Sequence, residues 1–228
     1  MNILSFDTSS QALTVAILRD EQVLADLTLN IKKNHSISLM PSIDFLMGQL
    51  GMDPQDLDRI VVAQGPGSYT GLRVAVATAK TLAYSLNISL VGVSSLQAIA
   101  LNVAFDGLVV PLMDARRNNA YVGFYEDGRA VQPDRHDSLD AILVACQDRA
   151  KLAFVGEVSN FRDQILEAFP QALVQEVLPS AVAMGRLGLQ EEPHEVHSFV
   201  PEYLKKVEAE ENWLKTHEEG SSDYIKRV

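Results

Sequence analysis

The chain has 228 residues, 47% of them hydrophobic, with a mean hydropathy of +0.04 and a formal net charge of −11. These values describe a soluble protein with enough apolar material for one large domain or two small ones. They speak against a chain that grips nucleic acid by itself, because that affinity rests on Lys and Arg contacts to phosphate and none of the segments 1–105, 106–188 and 189–228 is net basic. The first residues lack a basic segment followed by an apolar one, so no signal peptide is expected. Residues 2–7 read as a strand, Asp7-Thr8-Ser9-Ser10 as a polar turn, and residues 12–19 and 22–29 as a strand pair. A helix is expected over 36–50, ended by Gly51, then a strand over 59–64. A helix over 72–86, a strand over 88–93 and a helix over 95–104 complete a first unit, residues 1–105.

A second unit, residues 106–192, opens the same way. Leu108 to Asp114 and Ala120 to Glu126 read as strands, and Asp127-Gly128 as a turn. Helix 138–149, strand 152–156 and helices 160–168 and 180–190 follow. Cys146 is the only cysteine, which rules out a disulfide within the chain and fits a reducing cytoplasm. It lies in an apolar helical run and reads as a packed small hydrophobe. No apolar run reaches the length of a membrane span. Residues 193–228 are acidic and either fold back on the first unit or stay partly free.

The most distinctive stretch is Gly65-Pro66-Gly67-Ser68-Tyr69-Thr70-Gly71-Leu72-Arg73, between an apolar strand and an apolar helix. Glycines permit positive φ or close backbone approach, and a helix start with free N–H groups is a ready anion site. Thr70 is the expected N-cap, with Ser68 as a second candidate. Arg73 in the first turn opposes the helix dipole, which points to a nearby carboxylate, a phosphate, or simple solvation. The dinucleotide fingerprint fails because Gly71 is one residue late, and the P-loop fails because no lysine follows Gly71. The chemistry alone leaves a structural tight turn and a binding loop both open.

This stretch resembles the signature of the bacterial TsaB family, also called YeaZ. The resemblance extends from Ile3-Leu4-Ser5-Phe6-Asp7-Thr8-Ser9 to Pro201-Glu202-Tyr203-Leu204. It implies an α/β fold of two ribonuclease-H-like (actin-like ATPase) domains, each a mixed sheet with flanking helices, the second reduced. It also implies a part in making threonylcarbamoyladenosine in tRNA. The expected role is a subunit without catalytic residues that binds and activates a homologous TsaD-like subunit. That complex transfers threonylcarbamoyl from threonylcarbamoyl-AMP to adenosine. A TsaE-like ATPase joins it, tRNA is met only through the complex, and self-pairing is an option when the chain is alone. The rival is an actin-like ATPase or kinase using Asp7, Ser9, Ser10 and Asp114 with Mg²⁺ and ATP or ADP. The alternatives at those residues are a plain turn at Asp7 and pairing of Asp114 with Arg116-Arg117.

A metallopeptidase is disfavoured. The resemblance places a TsaD-type His-x-x-x-His on helix 95–104, where two histidines one turn apart would share a metal. Ser95 and Ile99 stand at those positions here. His194-Glu195-Val196-His197 has the wrong spacing for H-E-x-x-H and reads as surface. No metal site is expected. Helices 36–50 and 72–86 carry more apolar faces than one packed side needs. They are expected to form a partner interface through Met40, Met47, Val76, Ala79 and Lys80, with Gly65, Gly67, Ser68, Thr70, Gly71 and Arg73 at its edge. The alternative is that another element of the same chain covers them.

Overall fold

The computed structural model describes residues 1–31 and 34–205. Two five-stranded sheets repeat one topology. In the first, β1 (Asn2–Asp7), β2 (Leu13–Arg19) and β3 (Gln22–Leu29) form an antiparallel meander. After α1 (His35–Leu50), β4 (Arg59–Gly65) pairs parallel to β1. After α2 (Tyr69–Leu86), β5 (Ser89–Ser94) pairs parallel to β4. The order is β3-β2-β1-β4-β5.

A short helix α3 (Ser95–Ala100) leads to the second sheet, whose order is β10-β9-β6-β7-β8. Its meander is β6 (Leu108–Asp114), β7 (Asn119–Glu126) and β8 (Arg129–Ser138). Then α4 (Leu139–Ala145), β9 (Leu152–Gly156), α5 (Arg162–Ala168) and β10 (Leu173–Glu176) follow, and α6 (Ala181–Gly188) comes last. Both β9 and β10 run parallel within the sheet, so the two halves match strand for strand.

Two of these strands are invisible to apolar patterning. β8 is mostly polar, contains Pro133 and is an edge strand; β10 is a four-residue edge. Helix α3 stops at Ala100 rather than 104, and α4 at Ala145 rather than 149.

Alternation along each strand sorts side chains to two layers. Leu4, Phe6, Ile60 and Val62 face α1 and α2, while Ile3, Val61 and Ala63 face α6. Helix α6, expected in the second unit, therefore lies on the first sheet. Ser5 Oγ donates to the Ala181 carbonyl (2.6 Å) and the Ala181 N–H donates to Thr14 Oγ1 (3.3 Å). Conversely, Leu96, Ile99 and Ala100 of α3 pack on Val109, Met113, Ala153 and Val155 of the second sheet. Each sheet is covered on its inner face by the helix that follows the other sheet or leads into it.

Residues 194–202 return to the first sheet. His194 bridges to Leu90 on the edge strand β5, and the Glu202 N–H donates to the Gln64 carbonyl (2.8 Å). The remainder of the acidic tail, residues 206–228, lies outside the described residues.

Candidate functional site

The turns that follow β1 and β6 line two sides of a cleft of about 600 Å³ between the units. Ser9, Ser10 and Gln11 stand on one side, and Met113, Asp114, Ala115 and Arg116 on the other. Gly67, Ser68 and Tyr69 line it as well, with Tyr203 and Lys205. The topological repeat makes Asp7 and Asp114 equivalent, each ending the first strand of its sheet. Their environments differ.

Asp7 is fully buried and does not line the cleft. Its carboxylate closes an Asx turn, accepting from the Ser9 N–H (2.6 Å) and the Ser9 hydroxyl (3.0 Å). Burial pushes its pKa up to about 6 against the pull of those hydrogen bonds and of the His35 charge. The expectation that Asp7 touches nucleotide or a metal water is corrected: its carboxylate is fully buried behind its own turn and does not reach the cleft.

Asp114 does face the cleft. It accepts from the Arg116 backbone N–H (2.7 Å) and from Asn160 Nδ2 (2.8 Å). Its own N–H donates to Glu157 (2.8 Å), a residue that sequence reasoning missed. Burial raises the Glu157 pKa, and the charges of Asp114 and Glu176 push the same way. The one available signal was position: Glu157 directly follows β9, as Asp114 ends β6. Arg116, Arg117 and Asn118 turn the β6–β7 hairpin with positive φ of 68°, 55° and 59°, a left-handed run that L-residues adopt at a cost.

The glycine loop is explained by contact with its own chain. A Cβ on Gly71 would collide with the Thr8 carbonyl, one on Gly67 with the Ser9 carbonyl, and one on Gly65 with the Glu202 carbonyl. The Ser68 N–H donates to the Ser9 carbonyl (2.6 Å) and the Thr8 hydroxyl to the Gly71 carbonyl (2.7 Å). Ser68, not Thr70, is the N-cap of α2, accepting from the Gly71 N–H (3.3 Å). Two donors of the helix start are therefore already used within the chain. Arg73 lies in the second turn and donates to Tyr69 Oη (2.9 Å) while its guanidinium sits over the Tyr69 ring. Tyr69 in turn packs against Tyr203, with ring centroids 5.0 Å apart.

The expected interface residues divide. Val76, Ala79 and Met47 are buried in the core beneath α1 and α2, so they are corrected to packing residues. Met47 joins the stripe of Leu39, Ile43 and Leu46 at helical spacing. Lys80 is also corrected: its ammonium ties down the returning segment, donating to the carbonyls of His197 (2.9 Å) and Phe199 (2.7 Å). Phe199 and Val196 pack into the same core, which explains why α2 is apolar on more than one side. Met40 is exposed, together with Ile37 and Phe45.

Ser95 and Ile99 are both buried, and the Ser95 hydroxyl has no hydrogen-bond partner. Among the described residues no group of three or more His, Cys, Asp or Glu is placed to hold a metal ion, and no helix is long and apolar enough to cross a membrane.

The sequence matches a family model, described as TsaD, tRNA N6-adenosine threonylcarbamoyltransferase, over residues 22–213. It is 39% identical over 229 residues to the tRNA threonylcarbamoyladenosine biosynthesis protein TsaB of Bacillus subtilis, covering 95% of this chain and 99% of that protein. The structure superposes on YeaZ from Pseudomonas aeruginosa with a TM-score of 0.77 at 26% identity, covering 89% of this chain and 99% of the other. In fold alone it also resembles the activator of the 2-hydroxyisocaproyl-CoA dehydratase from Clostridium difficile, with a TM-score of 0.51 at 11% identity, covering 100% of this chain and 99% of the other. Matched along nearly its whole length by such a relative, the chain belongs to the TsaB (YeaZ) family, and its two five-stranded mixed sheets with flanking helices are the fold it shares with the solved YeaZ structure.

Proposed function

We propose that this chain serves tRNA threonylcarbamoyladenosine synthesis as a non-catalytic subunit that docks on a TsaD-type relative and activates it. The observation that carries this reading is the outward half of α1. Ile37, Met40 and Phe45 are 71%, 46% and 55% exposed on a helix whose inner half is fully packed. A specific interface buries on the order of 800 Å² per side, and two adjacent helices supply much of that. The burial of Ser95 and Ile99 supports the same reading, since neither offers a metal ligand where the relative would bring two histidines. A TsaE-type ATPase and tRNA meet the assembly rather than this chain alone, in keeping with the net charge of −11.

The test is reconstitution with one component omitted. A TsaD-type subunit, a TsaE-type ATPase, tRNA and threonylcarbamoyl-AMP are combined, and threonine transfer is followed with and without this chain. Transfer that collapses on omission, with none from this chain in the absence of its relative, supports the reading. Transfer that is unchanged on omission defeats it.

A second reading, a magnesium nucleotide held in the cleft, rests on the convergence of Ser9, Ser10 and Asp114 there. The donor set fits such a ligand poorly. Asp7 is sealed, and the floor carries the carboxylates of Asp114 and Glu157, which repel phosphate. Saturating ATP with Mg²⁺ would raise the melting temperature if it bound the native chain, and the absence of any shift would end this reading.

A further inference from the structure

We infer that Ser94, Tyr125 and Asp134 form a clasp across the hinge between the two units, and that this clasp fixes the width of the cleft. The three residues come from both halves. Ser94 ends β5 of the first sheet, while Tyr125 and Asp134 stand on neighbouring strands of the second. Asp134 accepts from the Ser94 hydroxyl through one oxygen (2.5 Å) and from the Tyr125 hydroxyl through the other (2.7 Å). A hydroxyl that donates to a carboxylate makes a charge-assisted hydrogen bond, stronger than one between neutral groups. Ser94 Oγ also accepts from the Leu96 and Gln97 N–H groups as the N-cap of α3. Its one donor and two acceptor sites are thereby filled, so the hydroxyl has a single orientation. Helix α3 is the element that carries the chain from one sheet to the other, and its starting cap is welded to the far sheet.

The second sheet is locally built around this carboxylate. Val122 pairs with Arg135 and Phe124 with Gln132, so Pro133 and Asp134 together oppose Gly123. Such a bulge bends its strand and re-aims a side chain. Gly123 is what makes room, since a Cβ there would meet both the Tyr125 ring and Asp134 Oδ1 (2.6 Å). A second link, Gln97 Nε2 to the Gly128 carbonyl (3.1 Å), crosses the same junction.

The clasp lies away from the cleft. Asp114 pairs with Ala120, and Tyr125 is five residues further along β7, roughly 17 Å at ~3.4 Å per residue. Among the described residues no hydrogen bond joins Ser9–Gln11 to Asp114–Arg116 across the cleft itself. The separation of those walls is set at the hinge, and a rotation there is amplified at the mouth. Burial pushes the Asp134 carboxyl above the usual range, against the pull of Ser94 and Tyr125, and Glu202 is the further charge that bears on Tyr125. A carboxylate so placed, held by hydroxyls, would be a poor choice for stability alone, but it gives a definite geometry.

The experiment is pulsed electron–electron distance measurement on the full chain, with Cys146→Ala and spin labels at Glu21→Cys and Asp148→Cys, exposed positions on opposite units. A control pair within the first unit uses Glu21→Cys and Asp44→Cys. Tyr125→Phe removes one clasp hydroxyl and keeps the packed ring; Asp134→Asn keeps the shape and removes the charge. The expected result is that either substitution at least doubles the width of the inter-unit distance distribution and leaves the control pair unchanged. An inter-unit distribution as narrow as the parent's overturns the inference, as does equal broadening of both pairs. Should Asp134→Asn fail to fold, Tyr125→Phe alone decides between those outcomes.

Discussion

Replacing Asp7 with Asn should stabilise the protein, and only at pH values where the carboxylate is ionised. Asp7 has no solvent exposure, and its pKa rises from 3.8 to about 6. A raised folded-state pKa means that the native state holds a proton that the unfolded chain has released. Stability from this group is therefore complete below about pH 4 and is lost as pH rises through about 6. The shift of about 2 pK units corresponds to ~3 kcal/mol at ~1.36 kcal/mol per unit. Asn keeps the acceptor for the Ser9 N–H and is neutral throughout. The variant should thus gain ~3 kcal/mol at pH 7.5, ~1 kcal/mol at pH 4.5 and nothing near pH 3. For a chain of this size that is roughly 6–12 °C in Tm at pH 7.5. Urea unfolding of both proteins at the three pH values gives the difference directly, with m unchanged. A gain that is the same at every pH, or a loss at pH 7.5, would refute the claim that desolvation dominates at Asp7.

Four further outcomes follow from the geometry. Met40→Glu and Phe45→Glu should abolish pairing with a TsaD-type subunit in gel filtration while leaving Tm within about 2 °C, since both side chains are exposed. Val76→Glu should instead unfold the chain, because it places an unpaired charge in the core; a folded variant that merely failed to pair would restore Val76 to the interface. Gly71→Ala should cost about 2 kcal/mol or more through its collision with the Thr8 carbonyl, and unchanged stability would return the loop to a ligand-binding role. Lys80→Met should remove two hydrogen bonds to the returning segment, costing about 1–3 kcal/mol, and should raise amide exchange along β5; unchanged exchange would show that the segment holds without it.

What the sequence made legible was governed by apolar pattern. The buried strands β1, β4, β6 and β9 and the long helices α1 and α2 announce themselves, because both their type and their limits are set by burial. The edge strands β8 and β10 do not, since a polar strand with a proline is held by its neighbour's backbone and not by its own composition. Ser9, Ser10 and Asp114 do meet at one cleft, as equivalent strand ends in a repeated topology would suggest. Asp7 looked identical in sequence, and both carboxylates accept from the N–H two residues on; Asp7 differs because it is fully buried, while Asp114 opens to the cleft. The apolar excess on α2 was real, but a segment more than a hundred residues later covers part of it; Lys80 and Phe199 are 119 residues apart. Long-range coverage of that kind leaves no local trace.

The exchange of inner-face helices has a consequence for how the chain is made. The first sheet is complete in sequence by Ser94, yet the helix that seals its inner face begins at Ala181, and the Ser5–Ala181 hydrogen bond spans 176 residues. During synthesis at about 5–20 residues per second, the emerging sheet waits at least several seconds with Ile3, Val61 and Val91 uncovered. The second sheet has no such delay, because α3 emerges before it. The half that is translated later is therefore the half that can finish folding first, and the nascent N-terminal half is the natural client for a chaperone at the ribosome.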